Sequence, residues 1–355
     1  MAMLTKLLNP STQLLPSKKR KVFYMLKVGL LGAGRIGQVH AAVVAAHEGS
    51  KLAAVSDVYA PAAEELAAKY HAQMRSSDEI IADDTIDAVL IATSTDTHSD
   101  LIEAATQAGK AVMCEKPVDL SLERARACLE VVSATGRPVM IGFNRRFDPS
   151  FAAIRDSLAA GQIGKAELLS VTSFDPAPPP VEYIKVSGGM FRDMMIHDFD
   201  MTNFIMGETP VSISASGACL VDPEIGKAGD IDTAVVTLSY ADGKLAVIKN
   251  SRRAAYGYDQ RLELLGADGL LQAQNMLENS VVKSTSQGVI SAKPTYFFIE
   301  RYMPAYKAEW AAFVAAVQEG DDMPVSLQDG VQALAMAEAA QRSFDSSRPV
   351  RLADV

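Results

Sequence analysis

The chain is poor in the residues that would place it outside an ordinary reducing, aqueous compartment. Only three cysteines occur in 355 residues, Cys114, Cys128 and Cys219. Their odd count and their lack of close, metal-type spacing argue against a disulfide framework or a cysteine metal site and fit a reducing cytoplasm. No stretch reaches the roughly 18 consecutive apolar residues that a membrane helix needs. Positive charge is also short: 34 Lys and Arg against 43 Asp and Glu give a net charge of -9 and a pI near 5.2. Phosphate-backbone binding requires a clustered positive surface, so a nucleic-acid partner is excluded. The one basic run, Lys18-Lys19-Arg20-Lys21, is short and near the terminus.

What remains is a globular composition, 48% hydrophobic and 22% charged, with a length that predicts two domains. No internal repeat is evident. Residues 1–24 have neither an apolar signal core nor a small-residue cleavage site, and they contain Pro10, Pro16 and the basic cluster. They read as a disordered lead, with Met25 a candidate start. The predicted domains are 25–145, a doubly wound parallel α/β unit, and 146–355, an α+β unit with an open, mainly antiparallel sheet. The last helix is expected to pack back on the first domain.

Val28-Gly29-Leu30-Leu31 reads as a buried strand that runs into Gly32-Ala33-Gly34-Arg35-Ile36-Gly37 and then a helix over 38–47. This is a Gly-x-Gly-x-x-Gly fingerprint in strand-to-helix context, where the glycines permit a tight turn and close approach of a pyrophosphate. The next strand, 52–56, ends at Asp57, about twenty residues beyond Gly37, where a carboxylate meets the ribose 2′-hydroxyl of NAD. No Lys or Arg adjoins Asp57 to receive a 2′-phosphate, so NAD is preferred over NADP.

Helix and strand then alternate: helix 61–70, strand 88–92, helix 99–108, strand 111–114, helix 122–134, strand 139–142. This is the pattern of a parallel sheet with right-handed crossovers. Ligands bind at the carboxyl ends of such strands. Thr93, Ser94, Thr95 and His98 end the third strand and are expected along the dinucleotide, with His98 positioning the loop or starting the helix. Glu115-Lys116-Pro117 ends the fourth and would present Lys116 to the nicotinamide. Pro117 holds Lys116 extended and makes a cis bond a possibility.

After Phe143-Asn144-Arg145-Arg146-Phe147-Asp148-Pro149 the rhythm changes. A helix over 150–160, an alternating strand over 166–174 and a proline-rich loop over 176–180 lead to Gly188-Gly189 and a helix predicted over 191–206. On a regular helix Asp193, His197 and Asp200 share one face, a polar stripe within a run of apolar residues that is costly to bury unless it is paired or used. Strands are predicted over 211–218, 233–240, 245–250, 261–265 and 269–272, with Asp242-Gly243 as a hairpin turn. Helices over 306–318 and 327–343 close the chain, and Tyr302 is placed in a loop-to-helix junction from which it could reach a polyol.

In this order, Gly32-x-Gly34-x-x-Gly37, Glu115-Lys116-Pro117, the Gly142 to Asp148 segment and Asp193-x-x-x-His197 resemble the glucose-fructose oxidoreductase / inositol dehydrogenase / rhizopine catabolism family. The resemblance runs from about Met25 to the end and is strongest to inositol 2-dehydrogenases. It implies Lys116, Asp193 and His197 at the hydroxyl being oxidised, with Arg145 and Asp200 on neighbouring hydroxyls; Asp175 and Tyr302 join them as substrate candidates. Where inositol dehydrogenases commonly carry Met before the paired arginines, this chain has Asn144. The expected reaction is NAD-dependent oxidation of a cyclic polyol, myo-inositol to 2-keto-myo-inositol, by a homo-oligomer, tetramer or dimer, assembled through the C-terminal sheet.

The chemistry is coherent on its own terms. Oxidising a secondary alcohol removes a hydroxyl proton as hydride leaves, and an imidazole suits that task, so His197 is the expected base. Asp193 would orient its ring and Lys116 would stabilise alkoxide character. Within enzymes the alternatives are a scyllo-inositol or pyranose aldose substrate. A non-catalytic dinucleotide-binding regulator would leave Lys116, Asp193 and His197 without purpose. A metal hydrolase using Asp193 and His197 lacks a third ligand and leaves the glycine fingerprint unused, so no metal is expected.

Overall fold

The computed structural model describes residues 24–355, so nearly all of the predicted lead lies outside the described residues. Six strands form the first sheet: β1 Leu26–Leu31, β2 Ser50–Ser56, β3 Gln73–Met74, β4 Ala88–Ile91, β5 Ala111–Glu115 and β6 Val139–Gly142. Their order is β3-β2-β1-β4-β5-β6 and every pairing is parallel. The near-continuous burial of β1, β4 and β5 follows from apolar runs covered on both faces by helices. Strand order reverses between β1 and β4, so the loops after Leu31 and Ile91 open a crevice at the carboxyl edge.

The second sheet contains β7 Ala166–Phe174, β8 Ser212–Ala218, β9 Thr233–Ser239, β10 Leu245–Ser251, β11 Asp259–Gly266 and β12 Gly269–Ala273. A separate exposed hairpin pairs β13 Val282–Thr285 with β14 Gly288–Ser291, and β15 Val350–Arg351 joins the sheet edge. The order is β12-β11-β7-β10-β9-β8-β15, antiparallel except where β7 and β10 run parallel. One face packs on the helix Ile196–Met206. The other carries Leu270, Leu265, Leu168 and Leu245, 47%, 40%, 40% and 49% exposed. Registered pairing places these four leucines side by side across four strands.

Both C-terminal helices return to the first sheet. Trp310, on Phe298–Glu319, donates from Nε1 to Ser50 Oγ at 2.9 Å. The Ile141 amide donates to the Val325 carbonyl at 3.1 Å, and Gly330, on Leu327–Ser346, lies so close that a Cβ there would stand 2.6 Å from Val118.

Three local expectations need correction. The helix predicted over 306–318 starts at Phe298, so Tyr302 is helical and Pro304 lies inside the helix. Burial of Tyr302 and an Arg301–Asp148 ion pair hold that first stretch, outweighing the hydrogen bond that Pro304 forfeits. The proline-rich loop leads into a helix, Val181–Ser187, for which Pro180 supplies the entry. The helix predicted over 191–206 is two elements, a π-helical turn Met190–Met194 and the α-helix Ile196–Met206.

Candidate active site

At the crevice, Gly32 has φ 102° and a Cβ on it would lie 2.3 Å from the Ala92 carbonyl oxygen. A Cβ on Gly37 would lie 2.0 Å from the Gly32 carbonyl oxygen, so both positions are restricted by contact. Gly34 differs: nothing stands within 4 Å of where its Cβ would be, leaving open space before the helix Arg35–Ala46. No side chain caps that helix, so its first amides are free to meet an anion. Asp57 accepts from the Ala33 amide through Oδ2 at 2.6 Å and from the Tyr59 amide through Oδ1 at 2.7 Å. Beyond it Val58 and Tyr59 are exposed. On the far rim Thr93 and Thr97 share a hydroxyl hydrogen bond of 2.7 Å, Ser94 is exposed, and Thr95 opens a short turn. Arg35 lies over the Phe297 ring at 5.6 Å, and Ile36 is half-buried. The open Gly34 position, the uncapped helix and the Asp57 carboxylate together fit a dinucleotide.

Two motif residues expected along the cofactor carry inward hydrogen bonds. Glu115 ends β5 with Oε1 at 2.7 Å from His40 Nε2, and His98 is buried with Nδ1 at 2.7 Å from the Pro117 carbonyl. His98 starts the helix His98–Gln107 and burial pushes its pKa down. The Lys116-Pro117 bond is cis.

From this loop the Lys116 ammonium donates to the Asp193 backbone carbonyl at 2.9 Å and to Asp193 Oδ1 at 3.2 Å. Tyr183 donates to the same Oδ1 at 3.0 Å, and Arg252 Nη2 stands 3.8 Å from Oδ2. Asp193 therefore faces Lys116 and does not orient His197, whose buried Nδ1 has no hydrogen-bond partner among the described residues. The cause is the π turn: the Met195 amide reaches back five residues to the Met190 carbonyl, which breaks the i, i+4 alignment assumed for Asp193 and His197. Met190 is held in turn by Asp230 Oδ1, which accepts its amide at 3.0 Å. His197 packs edge-on against Phe143 at 5.9 Å. Burial first, then the positive charges of Arg145 and Lys116, drive its pKa well below that of free imidazole.

The same break in register separates Asp200 from Asp193. Both Asp200 oxygens are engaged by Arg146, with Nε at 2.9 and 3.1 Å and Nη2 at 2.6 Å, and Arg146 also reaches Asp329 at 3.1 Å. Asp200 thus joins the helices behind the site, where burial raises its pKa against the pull of Arg146. Tyr302 is 2% exposed; its ring underlies Arg145 at 5.6 Å and its hydroxyl donates to Gln260 at 3.3 Å. Asp175 follows β7, half-buried among Arg252, Arg145 and Asp193, and desolvation lifts its pKa to about 6 despite the two arginines.

The hub that sequence reasoning missed is Asp198. It is fully buried, accepts from Arg145 at 2.6 Å, Ser173 Oγ at 2.7 Å and Asn250 Nδ2 at 2.7 Å, and so anchors Arg145. A signal existed: Ser173 and Asn250 are polar residues in the inward, otherwise apolar phase of β7 and β10, and the two are registered partners.

A family profile described as an oxidoreductase family with an NAD-binding Rossmann fold matches residues 26–143, and its C-terminal alpha/beta domain matches residues 155–352. The chain belongs to this oxidoreductase family. Within it, the chain is 50% identical over 328 residues to an inositol 2-dehydrogenase of Rhizobium meliloti, covering 92% of this chain and 99% of that one. The crystal structure of a myo-inositol dehydrogenase from Corynebacterium glutamicum superposes with a TM-score of 0.89 at 44% identity, covering 92% and 99% of the two chains. A scyllo-inositol dehydrogenase from Lactobacillus casei, solved with NAD(H) and scyllo-inositol, superposes with a TM-score of 0.86 at 30% identity over 93% and 99%.

In this oxidoreductase, then, the first unit delivers the glycine turn, Asp57, Lys116 and, just after β6, Arg145 to one crevice, and the second unit brings Asp193, His197 and Asp175 to it. Among the described residues no group of three His, Cys, Asp or Glu could hold a metal ion, and no helix is long and apolar enough to cross a membrane.

Proposed function

We propose that this chain oxidises a secondary hydroxyl of an inositol, converting myo-inositol to 2-keto-myo-inositol with NAD. The observation that carries the reading is the meeting of a cation and an imidazole beside a dinucleotide site: Lys116 paired with Asp193, and His197 with no partner on Nδ1. When bound between the Gly34 turn, Asp57 and the Thr93–Thr95 loop, NAD supplies the hydride acceptor. His197, kept neutral by burial and by Arg145 and Lys116, takes the hydroxyl proton. Lys116 donates to the same oxygen, which eases loss of that proton and compensates for a weakly basic imidazole. An imidazolium beside Arg145 and Lys116 is disfavoured, so His197 gives the proton up to water once the ketone leaves and is neutral again for the next turnover. Asp175 and Arg145 grip neighbouring ring hydroxyls.

NAD is preferred over NADP because the Asp57 carboxylate is held by two amides and is followed by Val58 and Tyr59, with no Lys or Arg adjoining it in sequence to receive a 2′-phosphate. A second copy of the chain covers the leucine row on the outer sheet face, giving a cytoplasmic homo-oligomer, dimer or tetramer. Burying each half-exposed leucine contributes about 1 kcal/mol.

Initial rates of NADH formation with myo-inositol, scyllo-inositol and pyranose aldoses test the reading. Myo-inositol is expected to give the highest kcat/KM, with scyllo-inositol the runner-up. A flat response to every inositol isomer would end it.

A further inference from the structure

Lys116 sits in a loop whose two flanking polar groups are each claimed by a buried histidine. On the far side, His98 meets the Pro117 carbonyl at 2.7 Å. On the near side the Lys116 amide donates to Glu115 Oε2 at 3.3 Å, and Glu115 Oε1 meets His40 Nε2 at 2.7 Å. The Glu115 carboxylate lies in a space kept clear by Gly142, where a Cβ would stand 3.2 Å from both its backbone and its carboxylate. His40 is 1% exposed, its ring set edge-on to Tyr306 at 5.5 Å and 86°, and its Nδ1 has no partner among the described residues. That ring therefore has one directed polar link, the bond to Glu115.

His40 also lies on the helix Arg35–Ala46, whose N-cap is Gly34 and whose first turn holds Gly37 of the glycine fingerprint. Through Nε2 that helix is tied to Glu115, whose other carboxylate oxygen meets the amide of the residue that bears the ammonium. We propose that His40 is a positioning residue for Lys116, acting through Glu115, and that this link sets the ammonium in register with the dinucleotide-binding helix. The proposal rests on the dehydrogenase reading for its kinetic consequence but not for its geometry.

Two amide substitutions separate this role from simple packing. The side-chain nitrogen of Gln reaches the place of His Nε2, whereas that of Asn reaches only the place of Nδ1. His40→Gln is expected to retain most of kcat at saturating NAD. His40→Asn and His40→Ala are expected to lose about tenfold or more in kcat, as misplacement of a reacting group does, with KM for the polyol changing far less. In a Lys116→Ala background the same substitutions should have no further effect on kcat.

Acylation of Lys116 by an N-hydroxysuccinimide ester, measured by peptide mass spectrometry on the ligand-free chain, reads the ammonium without turnover. His40→Asn should change that rate relative to the other lysines, while His40→Gln leaves it near wild type. Equal kcat in the Gln and Asn variants, equal losses in both backgrounds, or identical Lys116 acylation in all the proteins would each overturn the proposal. If the wild-type chain reduced no NAD with any inositol, the dehydrogenase reading would fall, and the acylation ratio would still decide the positioning role.

Discussion

The Lys116 ammonium is bound to Asp193 twice, at the side-chain oxygen and at the backbone carbonyl, so one residue of the π turn fixes both the charge and the direction of the lysine. Lys116→Met removes the donor to the reacting oxygen while keeping most of the side chain's volume. The expected loss in kcat/KM is about 10²–10⁴-fold, in the range for a positioned acid–base group, with NADH affinity by fluorescence titration nearly unchanged. A loss confined to KM would instead make Lys116 a binding residue.

For His197 the pH dependence carries the sign. Its pKa is lowered in the fold, so the imidazole stays neutral as pH falls through the range where a free one takes up a proton. The acid limb of kcat therefore lies well below pH 6.5 in the wild type, and His197→Gln abolishes that limb along with most of the rate. The linked effect on stability is that the unfolded chain binds the proton first. His197 thus weakens the fold as pH drops below its ordinary pKa, a cost that thermal melts of the Gln variant should lack.

Asp175 works in the opposite direction. Its pKa is raised to about 6, so between the ordinary carboxyl value and about 6 the folded chain holds a proton that the unfolded chain has released. Stability gains from this group on acidification and loses as pH rises through 6. Asp175→Asn is expected to raise Tm on the order of 2–4 °C at pH 8, with the difference shrinking toward pH 4, and to raise KM for the polyol. An unchanged KM would remove Asp175 from the substrate contacts.

Asp198→Ala leaves Arg145 buried without its carboxylate. Breaking a buried pair this way costs about 3–5 kcal/mol, measurable as a lower midpoint in urea. Asp198→Asn, which keeps shape and part of the hydrogen bonding, should cost less.

Leu168 stands between Leu245 and Leu265 on the outer sheet face. Leu168→Arg is expected to shift the chain to a smaller species in sedimentation velocity while leaving the far-ultraviolet circular dichroism intact. An unchanged sedimentation coefficient would rule out this face as the contact between copies.

Most of the scaffold was legible in the order of residues, because apolar runs four to nine residues long, glycine turns and Asp57 all act locally. Strand β7 agrees with its predicted range, since the alternation from Ala166 to Phe174 is set by one buried face. The misreadings come from contacts between distant parts of the chain and from a local change of helical pitch. Tyr302 is helical because Arg301 finds Asp148 about 150 residues away, beyond the reach of any local rule that stops a helix at Pro304. The π turn leaves no mark in hydrophobic periodicity: one extra residue per turn displaces Asp193 and Asp200 to different partners without altering the composition of the segment. The Asp198 hub was visible only as two polar residues out of phase on separate strands, which become neighbours once β7 and β10 pair in parallel.

The π turn has a further consequence for how this site is compared between chains. Because it holds one residue more than an α turn, a homologous segment lacking that residue could keep every downstream helical contact and still present a different side chain to Lys116. Counting back from His197 would then assign the acid of the pair to the wrong position by one. In this chain the turn begins at a pair of positive-φ glycines, Gly188 and Gly189, so the place of Asp193 opposite Lys116 is set from the glycine end of the segment, and the place of His197 from the helix that follows.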